Sequence, residues 1–238
     1  MKHASPILKA ILLILISFNV YILLSGKTYV YKAIKIGYMQ GNASASIEDV
    51  SFFETRTVAS ENGEQWPLGA DYNQKKISEE FRARLEKNES IAYTVIQDDS
   101  IRYEEYWGVG SRTSKTNSFS AGKSIVSMLV GIAIEEGAID SIHQKVIDFI
   151  PEYKNKKYPY NSEVTVEDLL TMSSGMDWNE GYINPLAITA EAYLTEELEE
   201  LLLQINFTSK PGAKWNYQSG NTQVLGILLE RATGIRLS

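Results

Sequence analysis

The chain has 238 residues, a hydrophobic fraction of 44% and a formal net charge of −7. That length suits one large domain or two small ones, and the apolar content is sufficient for a packed core. The acidic balance argues against nucleic acid as a partner, because neutralising phosphates requires a basic face. The sequence has no cysteine and two histidines. Disulfides, thiolate nucleophiles and cysteine- or histidine-rich metal sites are therefore excluded, and no metal or other cofactor is expected.

The N-terminal segment has the pattern of an export or membrane signal. Lys2 and Lys9 precede a charge-free apolar run over residues 10–24. The run is slightly short for a membrane span and long for a cleaved signal, and the small-residue triplet Ala43-Ser44-Ala45 lies far downstream. The pattern favours an uncleaved anchor in the membrane, with Lys2 and Lys9 in the cytoplasm and the rest of the chain outside, in the periplasm or at the cell surface. A cleaved signal and a buried core helix are the alternatives.

Residues 1–27 are thus assigned to the anchor or signal, and residues 28–78, which show no sustained period, to a linker and wrapping segment. Sharper patterns occupy residues 79–238. They predict helices over residues 79–88, 120–137, 164–172, 190–205 and 222–233, and a hairpin of residues 91–96 and 101–107 joined at Asp98-Asp99-Ser100.

The helix over residues 120–137 has the strongest periodicity. Its apolar residues are spaced for one buried face, and Gly137 marks its end. The predicted buried face consists of Ile125, Met128, Leu129, Ile132 and Ala133.

The start of this helix, Ser118-Phe-Ser-Ala-Gly-Lys-Ser124, can be read in two incompatible ways. As Gly122-Lys123-Ser124 it is the tail of a phosphate-binding loop, but the first glycine of that motif would fall on Asn117 and no buried strand precedes it. A nucleotide-binding loop is therefore a remote alternative. As Ser120-x-x-Lys123 the stretch is a serine nucleophile with a lysine base.

The S-x-x-K interpretation depends on its position at a helix start. Residues 120 and 123 share one helix face, with Cβ atoms roughly 5–6 Å apart, so Lys123 can take the Ser120 proton. A free lysine is protonated at neutral pH and is therefore a poor base. The helix dipole at this position disfavours the protonated lysine and favours a serine alkoxide. The alternative is a helix-capping serine followed by a solvated lysine.

A second loop supplies partners for this pair. Tyr217 and Ser219 follow a Pro211-Gly212 turn and precede the last helix. The Tyr217 hydroxyl can pass a proton to a leaving group, and Ser219 can bond the lysine or the substrate. The alternative is an aromatic turn that only packs on the helix start.

Three motifs together resemble a known family. Ser120-Ala-Gly-Lys123-Ser, Leu169-Leu-Thr-Met-Ser-Ser-Gly175-Met and Tyr217-Gln-Ser219-Gly-Asn-Thr-Gln-Val-Leu-Gly226 are similar, in order and spacing, to landmarks of the serine β-lactamase-like hydrolases. This group contains class C β-lactamases, DD-peptidases and related esterases and amidases. The segment Met176-Asp-Trp-Asn-Glu-Gly-Tyr182, and Ser219 where class C enzymes have asparagine, resemble the branch that contains 6-aminohexanoate-dimer hydrolase.

The resemblance implies an α+β fold in which helices pack against an antiparallel sheet. It implies Ser120 as acylated nucleophile, Lys123 as base, Tyr217 as proton relay and an oxyanion hole that uses the Ser120 backbone N–H. Trp178 and Tyr182 border the site as candidate substrate contacts, together with Ser219, although both aromatic residues could simply pack. The expected substrate is a small amide or ester, peptidoglycan-like material included.

The third motif of the family, a strand that supplies the second oxyanion donor, is not found before Ser238. We therefore expect the fold to lack its C-terminal strands and this chain to have little activity. An inactive relic, or a cell-wall-binding module on the same scaffold, is the alternative to an enzyme.

Overall fold

The computed structural model describes residues 5–41, 44–58, 63–154 and 157–237. The predictions that involve Lys2, Ala43 and Ser238 lie outside the described residues. The chain forms two compact units. The larger consists of the residues up to Phe52 together with Asn117–Leu237, and the smaller of Phe53–Thr116.

The described residues form eight α-helices and one two-stranded antiparallel sheet, with short 3₁₀ turns between them. In chain order these elements are α1 (Pro6–Leu24), α2 (Tyr29–Ile36), α3 (Glu79–Lys87), β1 (Ala92–Gln97), β2 (Ser100–Tyr106), α4 (Gly122–Glu135), α5 (Val166–Leu170), α6 (Ile188–Leu194), α7 (Leu198–Gln204) and α8 (Ser219–Thr233).

The smaller unit contains the predicted charged helix α3 and the predicted hairpin, and both are confirmed. In the hairpin, Ala92 lies opposite Tyr106 and Gln97 opposite Ser100. Asp98 and Asp99 have φ angles of 50° and 53°. Two successive left-handed residues are the geometry of the tight hairpin turn that matches the twist of the strands.

Glu104 is the buried polar centre of this smaller unit. Its carboxylate accepts hydrogen bonds from the Tyr72 and Tyr106 hydroxyls, both at 2.7 Å, and an ion pair from Arg112. Burial alone would raise the pKa of the Glu104 carboxyl, but these donors outweigh it and lower that pKa to about 2. The cluster therefore holds the loops of the unit on strand β2.

The segment predicted to be irregular is more ordered than expected. The prediction is wrong for residues 29–36, which form α2. Further along, Leu68 bridges Ile101 of β2, so residues before the predicted boundary between 78 and 79 pack with the hairpin. The sequence did not predict this pairing with β2 because the segment around Leu68 shows no alternating apolar pattern of its own.

The core of the larger unit lies between α4, α5, α7 and α8. Leu169, Phe207 and Leu228 are fully buried in it, and the rings of Tyr153 and Phe207 meet edge to face at 5.2 Å. Helix α5 starts with a capping box in which Thr165 and Asp168 bond each other's backbone N–H groups. The predicted helix is confirmed there, although it ends at Leu170 rather than at residue 172.

One predicted helix is two helices. The periodicity over residues 190–205 is interrupted at Thr195, whose ψ of 151° is extended. The Thr195 hydroxyl accepts a hydrogen bond from the backbone N–H of Glu197 at 3.1 Å, which offers the chain an alternative to the helical bond. Helix α8 is confirmed at its end, where Gly234 has a φ of 69°, and it begins three residues earlier than predicted, at Ser219.

The apolar face predicted for α4 is only partly buried. Ala133 is 2% exposed, and Leu129 is half-buried against the core. Ile125, Met128 and Ile132 are 55%, 61% and 47% exposed, so the prediction is wrong for these three residues. The cause is that α4 is apolar around most of its circumference, and the described residues cover only the side that packs on α8.

Helix α1 alone, among the described residues, is long and apolar enough to cross a membrane. Only Ile22 is buried in it. That exposure does not fit the buried core helix considered from the sequence, whereas a membrane anchor and a signal sequence both remain compatible with it.

Candidate active site

The candidate nucleophile lies in the turn that leads into α4. Residues Phe119–Ala121 form one 3₁₀ turn, so Ser120 precedes the α-helix instead of forming its first residue. Phe119 has a φ of 43°, a left-handed conformation that costs energy for an aromatic residue. Such strained residues cluster at functional sites, where the surrounding structure holds them in place.

The structure brings Ser120, Lys123, Tyr217 and Ser219 together. The Lys123 Nζ lies 3.2 Å from the Ser120 Oγ, and the Tyr217 hydroxyl donates to the same Oγ at 2.7 Å. The Lys123 Nζ also donates to the Ser219 Oγ at 3.1 Å. The Ser120 hydroxyl is therefore in contact with a lysine amine and a phenol at once, which is the arrangement that proton transfer in acyl chemistry requires.

A fifth residue, Glu180, completes this network and was not singled out from the sequence. Its carboxylate accepts hydrogen bonds from the Ser219 hydroxyl at 2.6 Å and from the Ser219 backbone N–H at 2.8 Å. The Tyr182 hydroxyl donates to it at 2.6 Å and the Trp178 indole N–H at 2.7 Å. Four donors thus converge on one partly buried carboxylate.

The hydrogen bonds keep this carboxylate ionised. Burial alone would raise the pKa of Glu180, but the donors on Ser219, Tyr182 and Trp178 outweigh burial, and the net shift of that pKa is downward. For Tyr182 both effects act in the same direction. Burial, and then the hydrogen bond to Glu180, raise the pKa of the Tyr182 phenol to about 12.

The two aromatic candidates differ in their surroundings. Trp178 is 5% exposed and packs under the start of α8, where the side chain of Gln218 donates to the carbonyls of Met176 and Trp178, both at 2.9 Å. A Cβ on Gly220 would lie 2.6 Å from the Trp178 ring, so only glycine fits there. Tyr182 is 59% exposed. Trp178 therefore supports the site from inside, and Tyr182 stands at its edge.

The second resembling motif, residues 169–176, packs beneath the Tyr217 loop. The Met172 carbonyl accepts the backbone N–H of Asn216 at 2.8 Å. Gly175 has a φ of 73°, and a Cβ on it would lie 2.2 Å from the Ser209 carbonyl oxygen. The motif thus fixes the position of the loop that carries Tyr217.

A cavity of about 790 Å³ opens beside Ser120 and Lys123, and its lining is mostly apolar. It includes Trp178, Tyr182 and Ser219, the three candidate substrate contacts. In the described ranges no group of three or more histidine, cysteine, aspartate or glutamate side chains is placed to hold a metal ion.

Comparison with known proteins identifies the family. The family model described as Beta-lactamase matches residues 77–237. The chain belongs to the β-lactamase family. The family is one of hydrolases that generally work through a serine acyl-enzyme.

A curated relative, the 6-aminohexanoate-dimer hydrolase of Paenarthrobacter ureafaciens, is 27% identical over 168 residues. The match covers 66% of this chain and 42% of the relative. The matched part of the chain thus spans less than half the length of this curated relative.

Two solved structures share the fold. A candidate 6-aminohexanoate-dimer hydrolase from Bacillus anthracis aligns with a TM-score of 0.57 at 20% identity, covering 72% of this chain and 49% of that one. A candidate β-lactamase from Bacteroides dorei aligns with a TM-score of 0.50 at 19% identity, covering 66% and 45%. The predicted β-lactamase-like α+β fold and the predicted resemblance are confirmed.

Proposed function

We propose that the protein is a serine hydrolase that cleaves an amide or ester bond through an acyl-enzyme on Ser120. The observation that carries the proposal is the position of the Ser120 Oγ, 3.2 Å from the Lys123 Nζ and 2.7 Å from the Tyr217 hydroxyl. Nucleophilic acyl transfer by a serine requires a base that takes the hydroxyl proton and a donor that protonates the leaving group, and both groups contact this hydroxyl.

In the acylation step the Lys123 amine takes the Ser120 proton while the Oγ attacks the substrate carbonyl carbon. The Ser120 backbone N–H is the proposed donor to the resulting oxyanion. As the intermediate collapses, Tyr217 passes a proton to the departing nitrogen or oxygen, and the proton held on Lys123 replaces it. The products are the acyl-enzyme and a free amine or alcohol.

Deacylation runs through the same groups with water as nucleophile. The water oxygen attacks the ester carbon, and its proton passes to the Tyr217–Lys123 pair. The carbon–Oγ bond then breaks, and Ser120 recovers a proton as the carboxylic acid leaves. Ser219 accepts a hydrogen bond from Lys123 throughout, which holds the amine within reach of Ser120.

The proposed substrate is a small amide or ester, with peptidoglycan-like material among the options. The proposed location is the outer face of the membrane, with residues 10–24 as the anchor. Support for the location comes from α1, which is long and apolar enough to span a bilayer.

Active-site labelling tests the proposal. The full chain is treated with a fluorophosphonate probe, and the labelled peptide is identified by mass spectrometry. We expect label on Ser120, none in Ser120→Ala, and a labelling rate reduced by about 10²–10⁴-fold in Lys123→Ala. Ser124→Ala is the matched control, because Ser124 is an exposed serine one residue beyond the lysine, and its labelling should equal that of the parent.

Undiminished labelling of Ser120→Ala would overturn the mechanism. A parent chain that folds and takes up no label would favour the alternative, a binding module or inactive relic on the same scaffold.

A further inference from the structure

The wall of the cavity beside Ser120 is built by two short helices, α2 and α6. Their small and apolar side chains face the space next to the reacting hydroxyl. The lining residues on these helices include Ala33 and Ile36 of α2 and Ala190, Tyr193 and Leu194 of α6.

The charged residues in the lining of this cavity are Lys123 and Asp49. Lys123 belongs to the proposed mechanism. Asp49 is 4% exposed, and its carboxylate accepts the backbone N–H of Ser46 at 2.8 Å. The described lining therefore offers few partners to a charged group, whereas its mostly apolar surface can exclude water from an apolar one.

The segment that follows α1 is fixed in this wall. Lys27 forms an ion pair with Glu191 of α6 at 2.9 Å, with both side chains about a quarter exposed. The hydrogen bond to Glu191 raises the pKa of the Lys27 amine. Tyr29 and Val30, at the start of α2, are buried. The end of α1 is thus tied to the wall by contacts on both sides of residue 28.

The connection is also short. Helix α1 ends at Leu24 and α2 begins at Tyr29. The five Cα–Cα steps from Leu24 to Tyr29 span at most about 18 Å, so the wall lies close to the end of the apolar helix. Tyr38 and Ile183 also line the cavity, and they are 50% and 72% exposed.

We propose that this cavity is a subsite for the aliphatic acyl chain of an amphipathic ester or amide, taken from the lipid surface in which α1 lies. The proposal rests on the proposed function and names its substrate class. The acyl carbonyl carbon is attacked by the Ser120 Oγ, the chain lies along the wall of α2 and α6, and the alcohol or amine leaves.

A chain-length series tests the subsite. The full chain in phosphatidylcholine vesicles is assayed with p-nitrophenyl esters from acetate to decanoate. Because each buried methylene contributes hydrophobic free energy, kcat/KM should rise about three- to fourfold per methylene over the first few carbons. Ala33→Phe, which fills the wall, should abolish that rise in kcat/KM with chain length. Lys35→Phe, an exposed position on the same helix, is the matched control and should keep it.

A second arm tests the source of the substrate. Vesicles that carry the protein are mixed with p-nitrophenyl hexadecanoate, placed either in the same vesicles or in separate ones. Turnover in the same vesicles and none in separate ones supports uptake from the lipid surface. Equal turnover in both, or none in the shared vesicles, overturns it.

Different results would refute the acyl subsite and the proposed serine hydrolase function. Ser120-dependent acetate hydrolysis without any chain-length preference, or a preference unchanged in Ala33→Phe, would overturn the acyl subsite and leave the serine mechanism intact. Absence of Ser120-dependent hydrolysis with every ester would instead refute the proposed function itself.

Discussion

Replacing Glu180 by glutamine removes one charge and leaves the shape of the side chain unchanged. An amide oxygen at the position of Oε2 can still accept from the Trp178 indole and the Ser219 backbone N–H. The amide nitrogen then takes the position of Oε1, where it donates to the Ser219 hydroxyl and forces that hydroxyl to turn. The exposed Tyr182 hydroxyl finds water instead.

The size of the effect follows from these bonds. A hydrogen bond to a charged group contributes about 1.5–3 kcal/mol and a neutral one about 0.5–1.5 kcal/mol, so each of the three bonds to Trp178 and Ser219 loses about 1 kcal/mol, while the exposed Tyr182 hydroxyl bonds water instead. We expect Glu180→Gln to lower the free energy of unfolding by about 2–3 kcal/mol in urea titrations. The control Tyr182→Phe removes one exposed donor and should cost under about 0.5 kcal/mol.

The pH dependence separates charge from shape. The pKa of Glu180 is lower in the folded state than in the unfolded chain, where a glutamate has a pKa of about 4.3. The stability that the carboxylate contributes is therefore complete above the unfolded pKa and is lost as the pH falls through the folded one. The difference between parent and Glu180→Gln should shrink in that acid range. A difference that stays constant down to the acid transition would refute the electrostatic reasoning.

The same variant should slow labelling of Ser120 by about tenfold, equivalent to about 1.4 kcal/mol in the barrier, because Ser219 no longer holds Lys123 in one orientation. Parent-like labelling in a destabilised Glu180→Gln would show that the carboxylate supports the fold alone.

Gly220→Ala should lower the unfolding free energy by about 1–3 kcal/mol in urea, since its Cβ would overlap Met176 and the Trp178 ring; a parent-like midpoint would contradict the packing. Glu104→Gln should destabilise the smaller unit, seen as faster hydrogen exchange of the hairpin amides, and this effect should fade toward about pH 2, where the parent carboxyl takes up its proton. If α1 is the proposed anchor, the protein should stay in the membrane pellet after a high-salt wash; release into the supernatant, or a mature N-terminus between residues 25 and 46, would replace the anchor by a cleaved signal.

Elements defined by neighbouring residues were predictable from the sequence. The Asp98-Asp99 turn and the stop at Gly234 depend on residues that tolerate a left-handed φ, and the start of α5 depends on a cap within four residues. The approach of Lys123 to Ser120 also follows from local spacing. Local chemistry decides these features, so no knowledge of the rest of the fold is needed.

Features decided by packing were not predictable in the same way. The exposed face of α4 and the break at Thr195 both follow a helical pattern, and the pattern does not say which side a neighbour will cover. Helix α2 was missed because it is short and mixed in composition, and its position depends on contacts with α6.

Glu180 could have been found by one signal. Residues two apart in an extended segment project to the same side, so Trp178, Glu180 and Tyr182 share one side if the segment is not helical. Two aromatic donors around a carboxylate on one side suggest a hydrogen-bonded group rather than a solvated one. The Ser219 partner, 39 residues away, could not be seen without the fold.

The serine at position 219 also explains why a carboxylate is needed at position 180. A serine hydroxyl has one proton, and when its oxygen accepts the Lys123 amine, that proton needs an acceptor of its own. The Ser219 side chain is half-buried, so leaving the proton unpaired would cost about 1–3 kcal/mol. Glu180 provides the acceptor and takes the backbone N–H of Ser219 as well, which fixes the rotamer that points the oxygen at Lys123. The effects of changes at positions 219 and 180 on the rate of Ser120 labelling should therefore not add: Ser219→Ala alone should slow labelling because it releases Lys123, and adding Glu180→Gln should slow it little further.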